Sequence, residues 1–269
     1  MAIITISRDA MSGGGHVAAR VAEELGYTVV GPETVAEAAE TLSLNCEEVE
    51  RTMHRAPRGL DRFTTKHEQR MALFRAAFYD LMQRDNIVYH GLAGHLFMAE
   101  LPNVLKVRLK ADMDNRVSEV MQREGVNRGQ AQRILQRRDR ERERWTRDVY
   151  GLDPHDPDLY DIYLNLHHID VDKASKIIVD ATRVSTNGHG PIMRKMLRDL
   201  ALAARAEARL LHVFRGVEAT ADDGELFIKV DAPLAGEESV MEQAKGRLRG
   251  LEGMTNAYVG VGAPTFTHY

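Results

Sequence analysis

The stretch Ile3-Ile4-Thr5-Ile6-Ser7-Arg8-Asp9-Ala10-Met11-Ser12-Gly13-Gly14-Gly15-His16-Val17 constrains this chain more than any other. A β-branched run leads into a small, glycine-rich turn, and beyond it Val17, Val21 and Leu25 recur every four positions, as on a helix with one buried face. The order is strand, loop, helix. Consecutive glycines let backbone N–H groups face inward without interference from Cβ, and the first turn of a helix adds unsatisfied donors and a partial positive charge. Arg8, Ser12, Gly13, Gly14, Gly15 and His16 are therefore candidates for gripping phosphate. Taken alone, the same three glycines fit a tight turn ahead of a core helix equally well.

With 269 residues, 43% of them hydrophobic, the chain favours two domains over one and has ample material for a buried core. A net charge of −4 and a pI near 6.3 argue against a general nucleic-acid coat, so anion binding must come from local basic clusters. Cys46 is the single cysteine and makes no internal disulfide. Without a secretory leader, or an apolar run near the ~18 residues of a membrane span, the chain reads as cytoplasmic, with no membrane partner.

Tyr27 to Val30 is a short expected strand closed by Gly31-Pro32, and helix follows from about Glu33 to Leu42. A second helix is expected near Asn45, and a long one from Thr65 to Arg84, with Met71, Phe74, Phe78, Leu81 and Met82 on its buried face. Between them, Arg58 and Arg62 can present cations to a monophosphate or form a solvated edge. Strands Asn86–Gly91 and Val104–Leu109 continue an alternating pattern that implies a mostly parallel sheet, with ligands beyond the carboxyl ends of its strands. His90 and Gly91 stand at such an end. Helix is expected from Asp112 to about Glu124 and again from Arg128 to Asp148, where Arg133, Arg137, Arg140, Arg144 and Arg147 share one face. Like charges at these spacings repel by a few tenths of a kcal/mol each, which favours an intended anion over a salt-bridged, solvated face. A fifth strand is expected over Tyr160–Leu166 and a closing helix over Asp170–Thr182. No metal motif stands out, since His167 and His168 lack a third ligand. Residues 186–192 read as a linker between a domain over 1–185 and a small α+β domain over 193–269, with helix Met193–Phe214, strand Glu225–Val230, helix Glu237–Leu248 and strand Asn256–Val261.

Several stretches, in this order and spacing, resemble the cytidylate kinase-like family of the nucleoside monophosphate kinase group: Ile4–Arg8 before Ser12-Gly13-Gly14, Ile87-Val88 ahead of His90-Gly91, Leu101-Pro102-Asn103-Val104-Leu105, Asp139-Arg140-Glu141-Arg142, and Tyr160-Asp161 with Asn165. The resemblance spans about residues 2–182. It implies an α/β fold, a P-loop kinase-like parallel sheet flanked by helices, with ATP phosphates on the first loop, Mg2+ bridging them, and a mobile lid from about Arg133 to Arg147. Arg137, Arg140 and Arg144 become candidate catalytic arginines for phosphoryl charge, and His90, Gly91, Arg58 and Arg62 candidates for the acceptor, a small phosphorylated ligand such as CMP. Laid over the Ser-Gly-Lys-Gly run of a nucleoside monophosphate kinase loop, Ser12-Gly13-Gly14-Gly15 puts Gly14 at the lysine and His16 at the usual metal-binding hydroxyl; only Arg8 offers a substitute cation. The resemblance thus supports an ATP-dependent phosphotransferase, and the departures support a nucleotide-binding regulatory protein that signals through its C-terminal module. That module resembles a BON domain over roughly 195–262, which implies a ligand or protein partner.

Overall fold

The computed structural model describes residues 2–41, 65–185, 190–233 and 236–262. Ile3, Ile4, Thr5 and Ile6 are all buried, the mark of a strand covered on both faces. This strand, β1 (Ile3–Arg8), is the centre of a five-stranded parallel sheet. β2 (Thr28–Val30), β3 (Ile87–His90), β4 (Val104–Lys110) and β5 (Ile162–Asn165) complete it in the order β2-β3-β1-β4-β5. Ile3 to Ile6 pair with Ile87 to His90 on one side, and Ile3 to Arg8 with Val104 to Leu109 on the other. The chain therefore leaves β1 with a strand on each flank, and the crevice beyond their carboxyl ends is where such sheets bind ligands.

Helix α1 (Gly14–Leu25) follows β1 and packs Val17, Ala18, Val21 and Ala22 onto Ile4, Ile6 and Val88. Gly26 at φ 67° ends it, a backbone region open to glycine. α2 is Pro32–Thr41 and α3 is Thr65–Met82. The one-turn α4 (Gly94–Phe97) lies between β3 and β4, where sequence reading assigned no element. α5 (Met113–Glu124) is capped by Asp112, whose side chain accepts from the amides of Asp114 and Asn115. α6 (Arg128–Tyr150) starts at a capping box between Asn127 and Gln130. Val117 and Val120 of α5 meet Ala131 and Leu135 of α6 around Ala10 in a second small core. α7 (Val171–Ser185) covers the sheet with Ala174, Ile178 and Val179.

The chain divides into two compact units. One holds the described parts of 1–34 and 85–190, with the whole parallel sheet; the other holds those of 35–84 and 191–262. The boundary expected at 186–192 divides the chain once, whereas packing groups α3 with the C-terminal elements. Arg75 of α3 pairs with Glu207 at 2.5 Å, Asp80 faces Arg205 at 3.7 Å, and Gln69 donates to the Leu211 carbonyl. Glu207 and Arg205 belong to α8 (Gly190–Leu210), which begins three residues earlier than expected. A three-stranded sheet follows: β6 (Arg215–Asp222), β7 (Glu225–Asp231) and β8 (Asn256–Gly262), with α9 (Glu237–Leu248) joining the last two. β6 went unread in the sequence. Its signal was the Asp223-Gly224 hairpin, with φ of 49° and 88° and Asp222 opposite Glu225, the geometry an Asp-Gly turn favours. No helix among the described residues is long and apolar enough to cross a membrane.

Candidate functional site

Two cavities open where β1 ends. The first, about 450 Å³, runs along the loop from Met11 to Gly15 and reaches His16, Arg116, Arg123 and Ile169. The loop turns through Met11 at φ 55° and Gly13 at φ 76°, and Gly13 caps α1 with its carbonyl, which accepts from the amides of His16 and Val17 at 2.9 and 3.2 Å. No side chain caps this helix. Its first-turn amides, with the positive end of the helix dipole, border the cavity. Ser12 is buried, and its hydroxyl has no hydrogen-bond partner.

The second cavity is much smaller, about 30 Å³, and lies between Arg8 at the end of β1 and Asp9 beyond it, Gly91 and His95 after β3, Arg108 on β4, and Asp139 and Arg142 on α6. Charged groups here are buried or half-buried, and several are paired. Asp9 binds Arg108 and stands 4.0 Å from Arg116, while Asp139 accepts from Arg116 at 2.5 Å and from the Ala10 amide at 3.1 Å. Arg116 Nε closes the circuit by donating to the Ala10 carbonyl at 2.7 Å. The loop after β1 is thus clamped by β4, α5 and α6 through Asp9, Arg108, Arg116 and Asp139. Arg142 donates to the Arg8 carbonyl at 3.1 Å, and burial, then Arg8, pull its pKa down to about 10. It remains a cation at neutral pH.

Polar atoms without partners gather around this cavity. Nε of Arg8, Nε of Arg108 and both ring nitrogens of His95 are buried and make no hydrogen bond; nor does Nδ1 of the neighbouring His90. Burial, then Arg108 and Lys106, push the His95 pKa down to about 3, so the imidazole is neutral. His90 is also lowered, by burial and then Arg8. Unsatisfied buried polar groups cost roughly 1–3 kcal/mol each, and their concentration here makes this cavity a candidate ligand site.

The residues expected from sequence divide accordingly. Arg8, Ser12, Gly13, Gly14, Gly15 and His16 do border the loop cavity. His90 lies beside them, its Cε1 3.9 Å from where a Cβ on Gly15 would stand. Gly91 lines the second cavity, and its lack of a side chain has a packing reason: a Cβ there would meet the Tyr89 hydroxyl at 2.4 Å. Arg58 and Arg62 lie outside the described residues. The arginine stripe departs from expectation. Arg133, Arg137, Arg140, Arg144 and Arg147 are exposed, with Arg140 turned back to the Gln136 carbonyl and Arg147 paired with Asp153. Asp139 and Arg142, on another face of the same helix, enter the cavity instead. The missed signal was the apolar line Ala131, Leu135, Trp145, which fixes the buried face of α6 and runs past Asp139 and Arg142. Asp9, His95, Arg108 and Arg116 were not read as site residues either; a single charged residue in a loop, strand or helix carries no periodic mark of its burial.

Residues 3–168 match the model of a family described as cytidylate kinase-like. A protein of Methanopyrus kandleri named cytidylate kinase is 29% identical over 179 residues, covering 65% of this chain and 90% of its own length. The crystal structure of an uncharacterized protein from Eubacterium ventriosum superposes with a TM-score of 0.53 at 22% identity, covering 68% of this chain and 99% of the other, a likeness of fold.

Proposed function

Since this chain belongs to the cytidylate kinase-like family, whose model spans more than half of it, we propose that its first unit transfers a phosphoryl group from ATP to a small acceptor, a pyrimidine nucleoside monophosphate such as CMP foremost. The observation that carries this is the pair of adjoining cavities, one bordered by the uncapped amides of α1 and the other by buried guanidinium groups with unpartnered Nε atoms. Phosphoryl transfer asks little covalent chemistry of the protein and depends on positioning and on neutralising oxygen charge. Amides of residues 13–15 would hold the donor phosphates. Arg108 and Arg142 would face the acceptor, and the Asp9, Arg108, Arg116 and Asp139 clamp would keep the loop from reorganising during transfer.

Bound Mg2+ would neutralise phosphate charge. Carboxylates lining the two cavities, Asp9, Asp139, Glu119 and Asp170, are engaged by Arg108, Arg116, Arg123 and Lys173, so the ion would rest mainly on the nucleotide's own oxygens. The purified chain with ATP and a panel of CMP, dCMP, UMP and non-nucleotide acceptors is expected to form ADP above background with at least one of them. Absence of ADP with every acceptor would overturn the enzymatic reading. A second reading, nucleotide binding without turnover and signalling through the C-terminal module, draws on Gly14 at the lysine position; tight ATP binding in calorimetry together with no ADP would select it.

A further inference from the structure

Gly13 and Gly14 are adjacent but are glycine for different reasons. Gly13 has φ 76° and nothing within 4 Å of a built Cβ, so the backbone conformation requires it. Gly14 is in helix α1 with no such φ, where alanine would be favoured by about 1 kcal/mol. What excludes a side chain there is Arg8: a Cβ on Gly14 would lie 2.2 Å from Arg8 Cδ, 3.1 Å from its Cβ and 3.2 Å from its Cγ. The Arg8 stem fills the space a residue 14 side chain would use.

We infer that Arg8, delivered from the end of β1, is the phosphate-contacting cation of this loop in place of a residue at position 14, and that its guanidinium contacts the phosphoryl group in flight between the two cavities. The inference rests on the phosphotransfer reading. Arg8 lines both cavities, and its Nε is buried without a partner. Its carbonyl is held by Arg142, so the side chain leaves a fixed point of backbone. In the transfer, an oxygen of the acceptor monophosphate forms a bond to the terminal phosphorus of the nucleoside triphosphate. The bond from that phosphorus to the bridging oxygen breaks, and its electron pair leaves on the diphosphate. Arg8 donates hydrogen bonds to the oxygens of the moving group and keeps its protons.

Moving the cation tests this. In the full chain, Arg8→Ala is expected to lower turnover with ATP and CMP about 100-fold, the scale of losing one charge-stabilising donor, and to weaken calorimetric binding of ATP and of inorganic triphosphate about tenfold. Adding Gly14→Lys to Arg8→Ala, where the space is now open, is expected to restore at least about tenfold of the lost turnover or binding, whereas Gly14→Lys alone collides with Arg8 and lowers thermal stability. Arg8→Gln, which keeps the stem and removes the charge, serves if the alanine variant does not fold. Wild-type binding of ATP with Arg8→Ala or Arg8→Gln binding it equally well would overturn the inference alone, as would a folded double variant no better than Arg8→Ala. Failure of the wild-type chain to bind any triphosphate would overturn the phosphotransfer reading and the inference together.

Discussion

Replacing Asp139 by alanine should cost far more than an ion pair at a protein surface. Its partner Arg116 has a side chain only 5% exposed, so the variant strands a buried guanidinium, which typically costs about 3–5 kcal/mol. Asp9 stands 4.0 Å from the same guanidinium and compensates in part, and Asp139 itself is 22% exposed, so about 3 kcal/mol is the appropriate share. The Ala10 amide also loses its acceptor, for about 1 kcal/mol more. The sum, about 4 kcal/mol, with a urea m value of about 2 kcal/mol/M, lowers the unfolding midpoint by about 2 M. Trp145, the single tryptophan, is buried on the helix that carries Asp139, so its fluorescence reports on this unit. The pair Arg116→Met with Asp139→Leu should recover much of the loss, because an apolar pair desolvates no charge. A loss below about 1 kcal/mol for Asp139→Ala, the range of exposed pairs, would refute the clamp; so would a double variant worse than the sum of its singles.

His95 sets an acid limit on the first unit. Its folded pKa, about 3, lies below the ordinary 6.5, so its contribution is complete above pH 6.5 and is lost as pH falls from there toward 3, at about 1.4 kcal/mol per unit. Urea unfolding between pH 7 and 5 should show that slope in the wild type and a shallower one in His95→Gln; parallel curves would contradict it. Gly94→Ala brings a Cβ to 2.4 Å from the Tyr89 ring and should cost about 1–3 kcal/mol in thermal or chemical unfolding. Gly15→Ala meets only His90, at 3.9 Å, and should be neutral or stabilising by about 0.5 kcal/mol, with equal losses for the two variants counting against the packing argument. In steady-state phosphotransfer, Arg142→Ala should reduce kcat more than Arg140→Ala or Arg144→Ala. The reverse ranking would return the role to the exposed stripe.

Elements whose signal is local were legible before any coordinates. The β-branched run Ile3–Ile6, the glycines after it and the four-residue spacing of α1 state strand, loop and helix within neighbouring residues, and α9 has its expected ends at Glu237 and Leu248. Backbone sterics and hydrophobic periodicity act over a few positions, so one sequence contains them. Long-range pairing decided the rest. Which face of α6 turns inward depends on what α5 and the loop after β1 offer it, and an arginine stripe is identical on paper whether it meets phosphate or water. Asp139 and Arg142 gained their place because Ala10, Arg116 and Arg8 stand opposite, residues 23 to 134 positions away in the chain. The grouping of α3 with the C-terminal sheet likewise rests on Arg75 meeting Glu207, a contact across 132 residues. Local chemistry determined that a glycine-rich loop would form after the first strand; only tertiary packing decided which charges would surround it, because burying an ion is tolerable solely where a partner from elsewhere in the chain arrives to share it.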